Sequence, residues 1–405
     1  MIDIEKIKDA KQRIKDIVNK TPFAYAPLLS NHCQTNIFLK KENLQLTGAY
    51  KLRGAYNKIA TLSEKQKEFG VIAASAGNHA QGVAYSANIF KISSTIIMPE
   101  ATPLLKVLST KSLGAEVILK GENYDEAYEF ALEYAKERNL TFIHPFADDA
   151  VIAGQGSVAL EMLEEMDDID IVVIPIGGGG LISGMGAVFK QLKPDVKIIG
   201  VVANGADAML QSFNAKKAID SLSVRTIADG IAVRDVNSKN LDYILETVDE
   251  VVGVSDEEIA NAILFLLEKQ KLVVEGGGAV GVAAIMHKRF EFSKNSKIAT
   301  VLSGGNIDVS MLSLIIEKGL IKAHRKMKLI ITLIDKPGSL RNLTDLFQKL
   351  GANIIQIDYD RTSTSLSYGD ANVTLALETK GEAHQVKIRE SLKKAGFHFY
   401  EELRA

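Results

Sequence analysis

The sequence predicts an α/β protein built on parallel sheets, followed by a smaller βαββαβ unit. Three observations carry this expectation. Over most of the chain, short apolar runs bounded by turn residues alternate with helix-length amphipathic stretches, which is the punctuation of βαβ units. The 405 residues suffice for two to three domains at about 150 residues each. Near residue 325 the rhythm changes, and residues 329–405 carry two strand–helix repeats of a different order.

Ile4, Ile7, Ile14, Ile17 and Val18 recur at helical spacing, so the chain opens with an amphipathic helix. The expected strands follow at 36–39, 71–74, 94–98, 116–119, 171–175, 197–202 and 298–302. Ser255 with Glu258 three residues on forms a capping box, and Gly70 and Gly114 stop helices. The basic, weakly apolar stretch 321–328 is expected to be a linker. Beyond it, Leu329, Ile331 and Leu333 alternate as a strand, and Leu340, Leu343, Phe347 and Leu350 take helical spacing. Ile355, Ile357 and Tyr359 alternate again, Val373, Leu375 and Leu377 form a third strand, a helix runs from Gly381 to Ala395, and a last strand lies near Phe397. That order is ferredoxin-like. RNA-recognition modules share it but carry stacking aromatics on the third strand, and Ala371–Glu378 has none. The expected domains are a catalytic body over 1–320, with a smaller lobe at about 50–150, a linker over 321–328 and a regulatory unit over 329–405.

Composition excludes several classes. Lys plus Arg number 48 against 50 Asp plus Glu, a net charge of −2 that gives no footprint for nucleic acid or anionic membrane. The balance of 46% hydrophobic and 24% charged residues is that of a globular chain. One cysteine, Cys33, forms neither an internal disulfide nor a cysteine zinc cluster, and it suits a reducing compartment, so the cytoplasm is expected. The charged N-terminus lacks a signal-peptide core, and no run approaches a membrane span of about 18 residues.

The chemistry concentrates in four places. After the strand ending at Pro175 stand Gly177, Gly178, Gly179, Gly180 and Leu181, then a helix. Four glycines are costly in backbone entropy. They are tolerable where backbone N–H groups at a helix N-terminus must approach an anion, and a phosphate fits; the bland alternative is a tight loop beneath the sheet. No nucleotide-loop Gly-Lys-Ser/Thr ending is present. Lys51, beside Ala49, Tyr50 and Leu52, is ordinarily a solvated residue, but desolvation there would leave an amine able to form a Schiff base. Phosphate loop plus activated lysine suggests pyridoxal phosphate. Ser75-Ala76-Gly77-Asn78-His79 ends a strand before a helix and could hold a carboxylate on backbone donors, or Ser75 or Asn78 could simply cap the helix. Ser303-Gly304-Gly305-Asn306 ends another strand. A formal G-x-G-x-x-G at Gly276, Gly278 and Gly281 lacks the acidic residue about 20 positions on that a dinucleotide would need, and reads as a close turn between helix and strand. The remaining histidines show no metal-ligand spacing.

Together these motifs, in this order, resemble the fold-type II pyridoxal-phosphate enzymes, and among them the threonine ammonia-lyases. The resemblance covers about residues 1–320, and the tail with Asp335-Lys-Pro-Gly-Ser339 is similar to an ACT regulatory domain. The resemblance implies two open, twisted parallel-sheet lobes with pyridoxal 5′-phosphate carried by Lys51. Gly177–Leu181 would grip its phosphate, Asn78 its ring hydroxyl and Ser303 its pyridine nitrogen. Tyr50 and Glu275 would flank it, and Ser75–His79 would cradle the substrate carboxylate. Lys51 would take the α-proton of threonine, the β-hydroxyl would leave as water, and 2-oxobutanoate and ammonia would follow, with serine an overlapping substrate. Where relatives carry Ser-Phe, this chain has Ala49-Tyr50. Serine racemases of this fold carry a second serine where Ala76 stands, so racemisation is not expected. Their acidic metal-site positions are Val202 and Ala208, so no metal is expected there. The tail implies an amino-acid effector and a homodimer or homotetramer; simple oligomerisation is the bland alternative. Competing readings are a serine-preferring dehydratase or racemase, an NAD-dependent dehydrogenase and a non-catalytic amino-acid sensor. The pocket around the substrate β-carbon is expected to draw on loops 144–148 and 228–232.

Overall fold

The computed structural model describes residues 1–364 and 366–401. They form two compact units, one ending at Val309 and the other beginning at Ser310.

The first unit contains two parallel sheets. The smaller has strand order Glu116–Leu119, Ser94–Met98, Val71–Ala74, Thr141–Phe142, all pairs parallel. The larger runs Phe23–Tyr25, Asn36–Lys40, Lys297–Val301, Ile171–Pro175, Lys197–Ala203, Glu250–Val254, parallel except for its first pair. Strands Val71–Ala74, Ser94–Met98 and Ile171–Pro175 are buried at every position, because helices cover both faces of a parallel sheet and select continuous apolar runs. Phe23–Tyr25, Thr141–Phe142 and Glu250–Val254 were not expected as strands. The first two are three and two residues long, too short for a period, and all three lie at sheet edges.

Chain ends of strands and starts of helices then fall together. Val71–Ala74 leads to helix Asn78–Ile89, Ile171–Pro175 leads to helix Gly180–Leu192, and Lys51 opens helix Lys51–Ala60. The capping box at Ser255 and Glu258 forms, and Gly70 and Gly114 take positive φ beyond their helices. Helix Asn78–Ile89 approaches the Lys51 helix at Gly82, where a β-carbon would stand 3.2 Å from Leu52 N.

The second unit takes in helix Val309–Lys322 from its second residue and continues as strand Lys326–Ile334, helix Ser339–Leu350, strands Asn353–Asp360 and Asp370–Glu378, helix Glu382–Lys394 and strand His398–Glu401. Its antiparallel sheet has the ferredoxin-like βαββαβ order. Two boundaries differ from expectation. The compact first unit ends at Val309 rather than at 320. The stretch 321–328 is not a linker: it is shared between a helix end and a strand, with Lys326 and Met327 paired to Glu378 and Leu377. Buried Met327 accounts for this, since the weakly apolar stretch still supplies a core residue. A bulge at Ile354/Gln356 shifts the register of strand Asn353–Asp360, and Ile355 and Ile357 are exposed despite their alternation.

Candidate active site

Three loops are tied around Gly304. Tyr50 N donates to Ser303 O at 3.1 Å, Gly305 N to Gly48 O at 2.8 Å, and Glu275 N to Gly304 O at 3.0 Å. Gly48 meets this geometry with φ +72°, a backbone region that disfavours side chains. The result brings Lys51, Ser303 and Glu275 into one pocket with Tyr50, Asn78 and Gly177–Leu181, although they are scattered over more than 250 positions of sequence.

Lys51 Nζ donates to Pro145 O at 2.9 Å and lies 5.4 Å from the Tyr50 ring centroid. Burial lowers its pKa to about 8, with Glu275 opposing the shift. At pH 7 about one such amine in ten is neutral, against fewer than about one in a thousand for an ordinary lysine. Burial likewise raises Glu275 to about 7, helped by Asp229, while the Asn78 amide pulls against it. Asn78 Nδ2 donates to Glu275 Oε1 at 2.6 Å, and Asn78 Oδ1 accepts from Asn306 Nδ2 at 2.7 Å. Ser303 Oγ donates to Gly277 O at 3.3 Å.

The glycine run makes a cup. Gly179 has φ +87° and caps helix Gly180–Leu192. A β-carbon on Gly177 would lie 2.9 Å from Ile231 Cα, one on Gly180 would lie 3.0 Å from Phe146 Cα, and one on Gly178 would overlap the Phe146 ring. No protein acceptor among the described residues meets the N–H groups of Gly177 to Ile182. These free donors at a helix N-terminus suit a phosphate. An amine able to condense with an aldehyde stands in the same pocket, so the donor set fits a phosphorylated aldehyde.

Other expectations require correction. The helix Asn78–Ile89 is capped by Gly77, not by a side chain of Ser75 or Asn78. Within the Ser75–His79 turn, Ser75 Oγ accepts from Gly77 N at 3.2 Å, Ala76 packs against the smaller lobe's core, and open space lies beside Gly77. The His79 imidazole is buried and turned to Ile143 O at 2.7 Å, so His79 can reach a substrate only through its backbone. The G-x-G-x-x-G glycines form the first turns of helix Gly276–Met286 rather than a turn between helix and strand. A β-carbon on Gly276 would lie 2.5 Å from Ile227 O and one on Gly278 2.5 Å from Gly304 O, so these glycines serve close packing of the chain. Phe146, Gly230 and Ile231, from loops 144–148 and 228–232, also line the pocket, with Val233 just past the second loop; the sequence of these loops carries no spacing signal.

The pyridoxal-phosphate dependent enzyme family matches residues 14–304. An L-threonine ammonia-lyase of Thermotoga maritima is 47% identical over 397 residues, 98% of each chain. Among solved structures, the processed form of threonine deaminase isoform 2 from Solanum lycopersicum aligns with TM-score 0.75 and 37% identity, covering 77% of this chain and 87% of that one. Maize serine racemase aligns with TM-score 0.74 and 34% identity, covering 80% and 99%.

Proposed function

The chain belongs to the pyridoxal-phosphate dependent enzymes, and from that premise we propose that it deaminates L-threonine to 2-oxobutanoate and ammonia, with L-serine as an overlapping substrate. The observation that carries the reading is the convergence of the Lys51 amine, the free N–H groups of the glycine cup and the Ser303 hydroxyl on one pocket.

Gly177–Leu181 would hold the cofactor's phosphate, Lys51 would bind its aldehyde, and Asn78 and Ser303 would face its ring. When bound, the cofactor supplies an electron-withdrawing ring conjugated to the substrate α-carbon. Ser303 is a neutral hydroxyl, so it does not hold a proton on a ring nitrogen as a carboxylate would, and the moderate electron withdrawal favours elimination over amino transfer. Lys51 Nζ, already partly neutral at pH 7, accepts the α-proton. The N-terminus of helix Asn78–Ile89 would direct its backbone donors at the substrate carboxylate. The β-carbon–oxygen bond and then the α-carbon–nitrogen bond break; the water lost in the first step is regained in the second, and ammonia leaves. Threonine differs from serine by one methyl group, which an apolar pocket turns into only about 1–3 kcal/mol of preference. Ala76 provides no acid or base for the opposite face, which argues against racemisation.

Lys51→Ala removes the amine and should abolish both 2-oxobutanoate release and the protein-bound cofactor absorbance; turnover retained by this variant would refute the assignment. Ammonia release from threonine and serine, compared side by side, tests the substrate order. Its βαββαβ order supports reading the second unit as an amino-acid effector module; the enzyme itself we propose to be a cytoplasmic homo-oligomer. If isoleucine and valine shift neither the threonine saturation curve nor the oligomer size, that part fails.

A further inference from the structure

The glycine cup needs an external hold, because four adjacent glycines carry little conformational preference of their own. The hold comes from one side chain outside the pocket. Asn240 Nδ2 donates to Gly178 O at 2.6 Å and to Phe146 O at 3.0 Å. Asn240 is fully buried and stands in the first turn of helix Ser238–Thr247, where Asn237 Oδ1 accepts from its backbone N at 3.2 Å. Lys239 and Tyr243 of the same helix both reach Asp149, at 2.6 Å and 3.2 Å, and so fix that helix against Asp149–Glu165. The carboxamide is therefore presented on a rigid element.

The two carbonyls it captures belong to two segments that line the pocket side by side. Gly178 is in the cup. Phe146 lies one residue after Pro145, whose carbonyl receives the Lys51 amine, and its ring fills the space a side chain at position 178 would need. The turn is also braced from within. His144 Nδ1 accepts from Phe146 N at 3.2 Å and Ala147 N at 2.9 Å. Burial, with Lys51 nearby, lowers His144 to about 4, so that nitrogen keeps its lone pair at neutral pH. Peptide planarity then matters: with Gly178 C=O turned to Asn240, the N–H of Gly179 in the same peptide points the opposite way. A carbonyl released from Asn240 could rotate towards the anion and repel it.

We infer that Asn240 is a positioning residue for cofactor binding, which holds the Gly178–Gly179 peptide with its N–H towards the phosphate and ties the cup to the turn that seats Lys51. This rests on the reading of Gly177–Leu181 as the phosphate cup. It assigns to Asn240 no contact with substrate or cofactor.

The test is the affinity increment a phosphate group provides. Cofactor-free full-length protein, wild type, Asn240→Leu and Asn240→Ser, is titrated with pyridoxal 5′-phosphate and separately with pyridoxal, followed by absorbance. Asn240→Leu should weaken pyridoxal phosphate by about 10- to 100-fold, the factor that one or two neutral hydrogen bonds supply, and leave pyridoxal within a few-fold of wild type. Asn240→Ser, with a donor on a shorter arm, should fall between, and it serves alone if the leucine variant does not fold. Equal weakening of both ligands, or no weakening of either, would overturn the inference while leaving the cup reading intact. A wild-type protein that binds both ligands equally would sink the cup reading itself.

Discussion

Replacing Arg53 by methionine should destabilise the first unit more than any other single change of similar volume in its core. Arg53 is fully buried two residues after Lys51. Its guanidinium donates to Glu42 from Nε and Nη2, at 2.8 Å each, and to Glu161 from Nη1 at 2.7 Å and Nη2 at 2.9 Å. Lys40, also fully buried, adds a bond to Glu161 at 2.6 Å. Lys40 and Arg53 against Glu42 and Glu161 sum to zero, so the cluster is neutral only when complete. Burial alone would raise Glu161, but Arg53 and Lys40 hold it below the ordinary carboxylate value. Arg53→Met leaves a carboxylate buried without compensation, a loss of about 3–5 kcal/mol. Urea denaturation followed by far-UV circular dichroism and by cofactor absorbance measures it. Adding Glu42→Gln restores neutrality and should recover part of the loss, with a coupling energy above about 1 kcal/mol between the two positions. An Arg53→Met protein within about 1 kcal/mol of wild type, or strict additivity in the double variant, would refute the charge argument.

Three further outcomes follow from the same structure. Gly178→Ala places a methyl group in the Phe146 ring, so cofactor affinity in an absorbance titration should fall by about 1–3 kcal/mol, and adding Phe146→Ala should relieve it; unchanged affinity in the single variant would contradict the close approach. Glu275, raised to about 7 in the native state by burial from about 4.3 in the unfolded chain, binds more protons when folded. Stability of the cofactor-free protein should therefore fall as pH rises from 4.3 to 7, by on the order of 3 kcal/mol in total, and Glu275→Gln should flatten that slope in urea midpoints; parallel curves would exclude a protonated Glu275. The Cys33 thiol is pushed up to about 11 by burial, so iodoacetamide at pH 8 should label it only after unfolding, as read by intact mass.

Local residue chemistry made much of this legible. The glycine stretch after Ile171–Pro175 and the strand before Ser75 announce themselves by position alone, because a strand end followed by small residues and a helix has few other uses. The sequence rightly sets the G-x-G-x-x-G at Gly276 aside as a dinucleotide site but places it in a turn: those glycines lie in a helix and let it press on the backbone of Ile227 and Gly304, and a one-dimensional pattern does not say which neighbouring chain a glycine accommodates. His79 shows the same limit, since its position in the Ser75–His79 turn says nothing of where its ring points.

By itself the sequence determined the α/β class, most strand and helix positions, the ferredoxin-like tail and the residue types capable of the chemistry, because these depend on periodicity and on intrinsic backbone and side-chain preferences. Only the tertiary structure decided that Pro145 seats the lysine, that Phe146 and Ile231 wall the cup, that Asn240 clasps it and that Arg53 sits in a neutral four-charge cluster. Those are contacts between residues far apart in the chain, set by how the sheets and helices of the first unit pack, and packing fixes side-chain direction and desolvation in a way that local pattern does not encode.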